Sequence, residues 1–349
     1  MNGCILVAVL AATLGQTPTT QPTRSNRPPH LQRYKLKELV LIPRTDEPKA
    51  YDSLKVECPM VVRAGDRWLM YYTAIRMADG KVDSTIAVAS STDLIHWKRE
   101  KQVLPRGREG AFDHGGVSGP FVWCEDGKFF MIYPGFPNLG YESWPGRHGL
   151  ALSPDGLNWT RSPANPIHGP GPKGSWNDAI IYKAFVMEHK GQYWMFYNGK
   201  GYKSRNEQIG LATSADLVHW SEHPDNPLLR SGDPTKDRDH CIIADPWIMR
   251  QGNMWEMYYF AFDGSHAREH LATSRDLIHW TKSPYNPIMD AGPAGSYDEI
   301  HCHKPCIIEH AGVYYHFYTA CARRGKGDEY RAIALATSKK LPGVAYRDD

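Results

Sequence analysis

Apolar and polar positions along the chain fall into short runs of strand length broken by turn residues, and the same run recurs five times. Each copy is aromatic: Trp68-Leu69-Met70-Tyr71-Tyr72, Phe129-Phe130-Met131-Ile132-Tyr133, Tyr193-Trp194-Met195-Phe196-Tyr197, Trp255-Glu256-Met257-Tyr258-Tyr259 and Tyr314-Tyr315-His316-Phe317-Tyr318. Turn residues precede them, such as Ala64-Gly65-Asp66 and Glu125-Asp126-Gly127. A second phrase alternates with these runs: Ala89-Ser90-Ser91-Thr92-Asp93-Leu94-Ile95-His96-Trp97, then Leu152 to Trp159, Ala212 to Trp220 and Ala272 to Trp280, with a truncated Ala336-Thr337-Ser338 at the end. The tryptophans Trp97, Trp159, Trp220 and Trp280 are spaced by 62, 61 and 60 residues. A fixed period near sixty, filled by short β-type runs, predicts repeated four-stranded units. The expected fold is therefore all-β, a five-bladed β-propeller of four-stranded antiparallel blades.

The recurring phrase pairs Asp with His at His96, His219 and His279, a combination that also occurs in catalysis. Its structural reading is stronger, because Ser and Asp close hairpins through local backbone bonds while Trp packs between blades. The copy Ser153-Pro154-Asp155-Gly156 resembles the Asp-box turn of sialidase-type propellers.

Composition agrees with a turn-rich β protein. The 349 residues include 11 Trp, 19 Tyr and 10 Phe, with 31 Gly and 26 Pro, a mixture unlike that of a helical bundle. Length alone suggests two domains, but the repeat replaces that with a single unit over 31–349. A hydrophobic fraction of 41% excludes bulk disorder. The 41 basic residues nearly balance 38 acidic ones, which removes the electrostatic footprint of a nucleic-acid binder.

Residues 1–30 read as a signal peptide followed by a disordered Thr/Pro/Gln stretch, from the apolar run Cys4 to Leu14. That run is too short to span a bilayer, so the expected location is secreted or periplasmic without membrane insertion. The remaining cysteines, Cys58, Cys124, Cys241, Cys302, Cys306 and Cys321, show no paired spacing. Most lie in apolar runs and read as buried free thiols.

Equivalent positions on the innermost strands of a propeller converge on its axis. Pro59, Pro120, Pro246 and Pro305 align one such position, with Ala184 in the third unit. The two residues before this anchor are Glu57-Cys58, Ser118-Gly119, Tyr182-Lys183, Ala244-Asp245 and His303-Lys304. Seven residues before it stand Asp52, Asp113, Asn177 (with Asp178), Asp239 and Asp298 (with Glu299). A repeated Asp serves equally well as a turn former. His114, His240, His301, His303 and Trp176 lie on the same approach. Carboxylates for proton transfer, polar hydroxyl binders and a stacking ring together suit a sugar site. The loop from Phe136 to His148, with Tyr141, Trp144 and Arg147, is expected at the rim.

These motifs resemble the five-bladed β-propeller glycosidases, the group that includes glycoside hydrolase families 43, 32, 62, 117 and 130, over residues 35–345. Asp245-Pro246 resembles the Asp-Pro base motif of family 43. Glu57-Cys58-Pro59 resembles its Glu-x-Pro acid motif and the Glu-Cys-Pro of family 32, though on exchanged blades. Cys58 occupies the position of the family 43 base. The resemblance implies catalysis by Asp245 and Glu57, with either as acid or base, and Asp178 as an orienting carboxylate. Asp52, Asp113, His114, Trp176, Lys183, Asp239, His240, Asp298, Glu299, His301, His303 and Lys304 are the expected substrate-binding residues. Lys183 and Lys304 could tune neighbouring carboxyls, bind a sulfate or uronate, or hold phosphate as in family 130 phosphorylases. His301 and His303 alternate with Cys302, which is poor geometry for zinc; the resemblance instead allows Ca2+ or Na+ in the channel, with no cofactor required. It implies an exo-acting glycoside hydrolase releasing a terminal sugar from plant or algal oligosaccharides. Carboxylates from two different blades suit the wide separation of inversion, roughly 6.5–9.5 Å. The alternatives are a family 130 type phosphorylase and a sugar-binding propeller without turnover.

Overall fold

The computed structural model describes residues 26–204, 206–233, 237–325 and 328–348, so the apolar run Cys4 to Leu14 lies outside the described residues. The described protein is nearly all strand and turn, and its pairings are antiparallel within successive four-stranded sets. The first set contains Lys55–Ala64, Arg67–Ala78, Lys81–Ser91 and Lys98–Leu104. In the second, the inner edge is broken into Gly116–Val117 and Phe121–Glu125, both paired with Lys128–Phe136, followed by Arg147–Ser153 and Thr160–Arg161. The third runs Ile180–His189, Gln192–Lys200, Gln208–Ser214 and Ser221–Glu222. The fourth runs Ile242–Gln251, Met254–Phe262, Ala267–Ser274 and Thr281–Lys282. In the last, His301–His310, Val313–Arg324 and Asp328–Thr337 take their outer strand from the opposite end of the sequence, Tyr34–Lys35. One parallel pair, Ala267 with His301, joins the fourth and last sets into an eight-stranded sheet.

The repeated phrase builds the outer turns as its residue types require. Ser91 Oγ accepts the N–H groups of Asp93 and Leu94, while Asp93 accepts those of Ile95 and His96. His96 Nδ1 bonds Asp93 at 2.7 Å with its ring 86% exposed, so it is a solvent-facing turn brace. Asp216 with His219 and Asp276 with His279 repeat this geometry. Leu94, Leu217 and Leu277 adopt φ of 66–69°, and Gly156 takes their place at φ 74° in the second set, where a Cβ would meet the Tyr71 hydroxyl at 2.8 Å. Turn tryptophans pack edge-on against an aromatic of the preceding set: Trp159 on Tyr71 and Trp280 on Phe196. Trp97 of the first set packs on Phe317 of the last, which closes the ring. Edge-to-face pairs of this kind add about 0.5–1.5 kcal/mol each beyond their buried area.

The six described cysteines carry free thiols. Cys58, Cys302, Cys306 and Cys321 are buried as expected, whereas Cys241 is half-buried and Cys124 is exposed at the end of its strand.

Candidate active site

The inner strand of four sets carries a register shift at one position: between Glu57 and Met60, Ile181 and Ala184, Ala244 and Trp247, and His303 and Cys306. In three of the four the residue before the aligned proline stands at positive φ, whereas the third set, with Lys183 before Ala184, shifts without one. Cys58, Asp245 and Lys304 stand at φ 54°, 56° and 65°, and Gly119 at 45° in the broken edge of the second set. A bulge re-aims its side chain, and strained non-glycine residues concentrate at functional sites. The neighbouring set satisfies the backbone freed by the bulge. Cys58 N–H donates to Thr319 Oγ1, Gly119 N–H to Thr73 Oγ1 and Asp245 N–H to Asn198 Oδ1. Cys58, Gly119, Lys183, Asp245 and Lys304 thereby meet at the centre of the ring, around a pocket of about 220 Å³.

Four carboxyls surround this pocket, and their environments differ. Glu57 is buried and accepts hydrogen bonds from the Tyr141 hydroxyl (2.9 Å) and from Arg331, with the Lys304 ammonium at 3.4 Å. Burial alone would raise its pKa; the charges of Lys304 and Arg331 outweigh that and hold it at about 2. Glu57 is thus a fixed carboxylate rather than a proton donor. Asp245 is raised above the ordinary Asp range by burial, against the pull of Lys183 and Lys304. Glu142 is likewise raised by burial, with Glu57 adding to it and Lys304 opposing it. Glu207 is pushed up to about 7, chiefly by burial and then by the nearby Glu142, while Lys200 at 3.9 Å opposes the shift. One side chain links two of these acids: Asn198 accepts the Asp245 N–H through Oδ1 and donates to Glu207 through Nδ2 at 3.0 Å.

Tyr182, Ile242, Phe260 and Phe262 give the pocket its apolar wall. His303 Nδ1 donates to the Thr319 carbonyl at 3.0 Å, and burial keeps the ring neutral, which leaves Nε2 as an acceptor. His301 Nδ1 accepts the Ala267 N–H, and its Nε2 faces Glu329 at 3.6 Å. Cys302 and Cys306 point away into the core, with Cys306 Sγ accepting the Val61 N–H. Among the described residues no three His, Cys, Asp or Glu side chains gather as a metal-binding group.

Of the expected site residues, the structure brings together Glu57, Asp245, Lys183, His301, His303 and Lys304, and it leaves the others elsewhere. The aspartate column is a set of clamps. Asp52 binds Arg44, Arg99 and the Tyr72 hydroxyl. Asp113 binds Arg161 and Tyr133, Asp239 binds Lys282, and Asp298 binds Lys35, Arg347 and Tyr318. Each therefore ties its own set's inner end to the outer strand and cannot reach a sugar at the axis. In the third set the pattern is exchanged: Asn177 bonds Tyr197, and the outer strand supplies Glu222 instead of a cation. Trp176 packs on Tyr197 with its ring over Gly199 and Gly210, in the wall of that set. Asp178 accepts the N–H groups of Gly174 and Tyr202, which makes it a loop tie, and Glu299 does the same for Gly295 and Arg323. His240 Nδ1 donates to the Asp237 carbonyl, and the His114 carbonyl accepts from Arg106; neither histidine lines the pocket.

The pocket residues that the repeat did not expose are Glu142, Glu207 and Arg331. Glu142 rides on the loop from Phe136 to His148, whose Tyr141 crosses to the Glu57–Arg331 pair. Tyr141→Phe removes the hydroxyl that holds this loop. It is expected to cost only about 1 kcal/mol in unfolding free energy while lowering kcat/KM by a larger factor, because Glu142 loses its place; equal small effects on both would leave the latch without a role.

Residues 172–341 match the glycosyl hydrolases family 32 N-terminal domain. An uncharacterized protein of Mycobacterium tuberculosis is 26% identical over 223 residues, covering 62% of this protein and 71% of that one. A beta-fructofuranosidase (insoluble isoenzyme) of Arabidopsis thaliana is 28% identical over 184 residues, 47% of this protein and 31% of the plant enzyme. A solved structure described as a glycoside hydrolase superposes with a TM-score of 0.72 at 27% identity, over 88% of this protein and 93% of that one. This protein belongs to the β-propeller glycosidase superfamily. Its enzyme class is glycoside hydrolase, which agrees with carboxyls of contrasting protonation gathered in one pocket. It spans about a third of the plant enzyme's length, so that enzyme's sugar does not transfer with the fold. In this glycosidase the pocket carboxyls come from different strand sets.

Proposed function

We propose that the glycosidase is a five-bladed propeller that removes one terminal sugar at a time from plant or algal oligosaccharides, with Glu207 as proton donor. The observation that carries this reading is the pair of contrasting environments on either side of Asn198. Glu207 is near half-protonated at neutral pH, as a general acid must be. Asp245, flanked by Lys183 and Lys304, is the carboxylate that takes the proton from water. Glu57 holds the positive charge of Lys304 and Arg331 in place and fixes the Tyr141 loop. That loop bars the pocket on one side, which suits the end of a glycan better than its interior.

We propose inversion at the anomeric carbon, on the ground that donor and base stand on different strand sets. Secretion or periplasmic export is proposed from the apolar run Cys4 to Leu14. NMR of the first-formed anomer during digestion of plant cell-wall oligosaccharides tests the reaction, and the retained anomer would overturn inversion. Lys183 favours one further reading. Its buried ammonium meets only the Pro305 carbonyl at 3.3 Å and forms no ion pair among the described residues, so inorganic phosphate could sit there. Turnover that requires added phosphate and yields a sugar phosphate would make the enzyme a phosphorylase; phosphate-independent turnover assigns hydrolysis.

A further inference from the structure

Among the described residues six large hydrophobic side chains are exposed, and three of them, Tyr141, Trp144 and Tyr202, stand beside the mouth of this one pocket. Trp144 lies two residues from Glu142, and its indole is close enough to the Tyr182 hydroxyl, on the pocket wall, to influence it. Tyr202, at 64% exposure, sets its ring 5.4 Å from that of Trp144 at 69°, so the two form an open notch. The backbone fixes this notch from below. Asp178 accepts the Tyr202 N–H at 2.8 Å while also accepting that of Gly174, and it holds the loop at the height of the tryptophan. A contiguous exposed aromatic patch at the lip of a polar pocket is costly to leave in water unless something covers it.

We propose that Trp144 and Tyr202 form the binding subsite for the leaving-group sugar, the ring on the far side of the cleaved bond. This inference rests on the pocket being the site of glycoside hydrolysis. The occupant follows from position. The notch adjoins the wall next to Glu207, which protonates the oxygen of the departing sugar, so that sugar must leave past these rings. The weakly polar C–H face of a pyranose or furanose covers an aromatic face while its hydroxyls stay in water. Asp178 is then a positioning residue for Tyr202 rather than a group that touches the reacting atoms.

The test compares two substrates that share a terminal sugar. One is a trisaccharide purified from partially hydrolysed plant cell-wall polysaccharide; the other is the corresponding glycosyl fluoride, whose leaving group has no ring. In Tyr202→Ala the ratio of kcat/KM for trisaccharide to that for fluoride is expected to fall roughly three- to tenfold. Tyr202→Phe, which keeps the ring, restores the ratio, and Asp178→Ala lowers it in the same sense by freeing the loop. An unchanged ratio in Tyr202→Ala overturns the subsite, as does an equal fall in Tyr202→Phe. Failure of the wild type to cleave either substrate sinks the hydrolase reading and the subsite with it, a result distinct from an unchanged ratio.

Discussion

Glu207→Gln is expected to lower kcat on oligosaccharides by about 10²–10⁴-fold, the range lost when a general acid is removed. In the wild type the same group sets the alkaline side of the pH profile. Its pKa of about 7 means that activity falls as pH rises through 7, because the donor is then ionised. The acidic side belongs to Asp245, which must be a carboxylate and titrates above the ordinary Asp range. Folding stability should fall in the same direction as pH rises. Between the ordinary value of 4.5 and about 7 the folded protein holds the Glu207 proton that the unfolded one has released, so stability declines as pH rises through that window. Gln carries no charge to bury, so Glu207→Gln should melt at or above the wild-type temperature at pH 8. Loss of turnover together with a gain in thermal stability distinguishes a catalytic acid from a structural one.

Asp298→Ala is expected to act on folding instead. Its carboxylate is fully buried and bonds Lys35 at 2.6 Å, Arg347 at 2.6 Å and the Tyr318 hydroxyl at 3.0 Å. Removing it leaves the Lys35 ammonium, 7% exposed, without its counter-charge, a change that costs about 3–5 kcal/mol. The loss falls where it matters most, since Lys35 belongs to the N-terminal strand that completes the last set. Because the folded-state pKa of Asp298 is held down by Lys35 and Arg347 against burial, its contribution is present above the unfolded value and disappears as pH falls through the folded one. Urea denaturation would show the lower midpoint, while kcat/KM of the fraction that remains folded stays within a few-fold of wild type. A large drop in kcat/KM with an unchanged midpoint would return Asp298 to the substrate site.

Much of this architecture could be read in the sequence, and the reason is repetition. Trp97, Trp159 and Trp280 recur because each must pack on an aromatic of the preceding set, and the Ser/Asp turns recur because they close the same hairpin. The residue before each aligned proline pointed to the pocket for a related reason. A proline next to a bulge marks where the backbone turns its side chain toward the axis, as Asp245 and Lys304 do. The aspartate column misled because an acid repeated in every set suits either a convergent site or a repeated clamp. The clamp did leave a trace. Two residues after the turn tryptophans stand Arg99, Arg161, Glu222 and Lys282, and the one acidic member faces the one asparagine, Asn177. Charges that exchange together within one sequence signal contact, which the spacing alone did not convey.

Glu142, Glu207 and Arg331 were hidden for the opposite reason. They do not repeat. Glu142 rides on an insertion between strands, Glu207 stands at the end of an irregular connection before Gln208–Ser214, and Arg331 reaches inward from Asp328–Thr337. Only the folded ring brings them to Glu57 and Asp245, and burial then separates their protonation states. Glu57, the residue whose motif most resembled a catalytic acid, is the one that its two cationic neighbours hold most firmly ionised.

The central claim is that Glu207 gives its proton to the departing sugar, and one comparison tests it most directly. Fluoride leaves without protonation, so a glycosyl fluoride does not need the acid. Hydrolysis of a glycosyl fluoride and of the matching trisaccharide is measured with wild type and with Glu207→Gln. The account predicts that the variant keeps fluoride hydrolysis within about tenfold of wild type while trisaccharide cleavage falls by about 10²-fold or more. An equal fall on both substrates, or full activity on both, would contradict it.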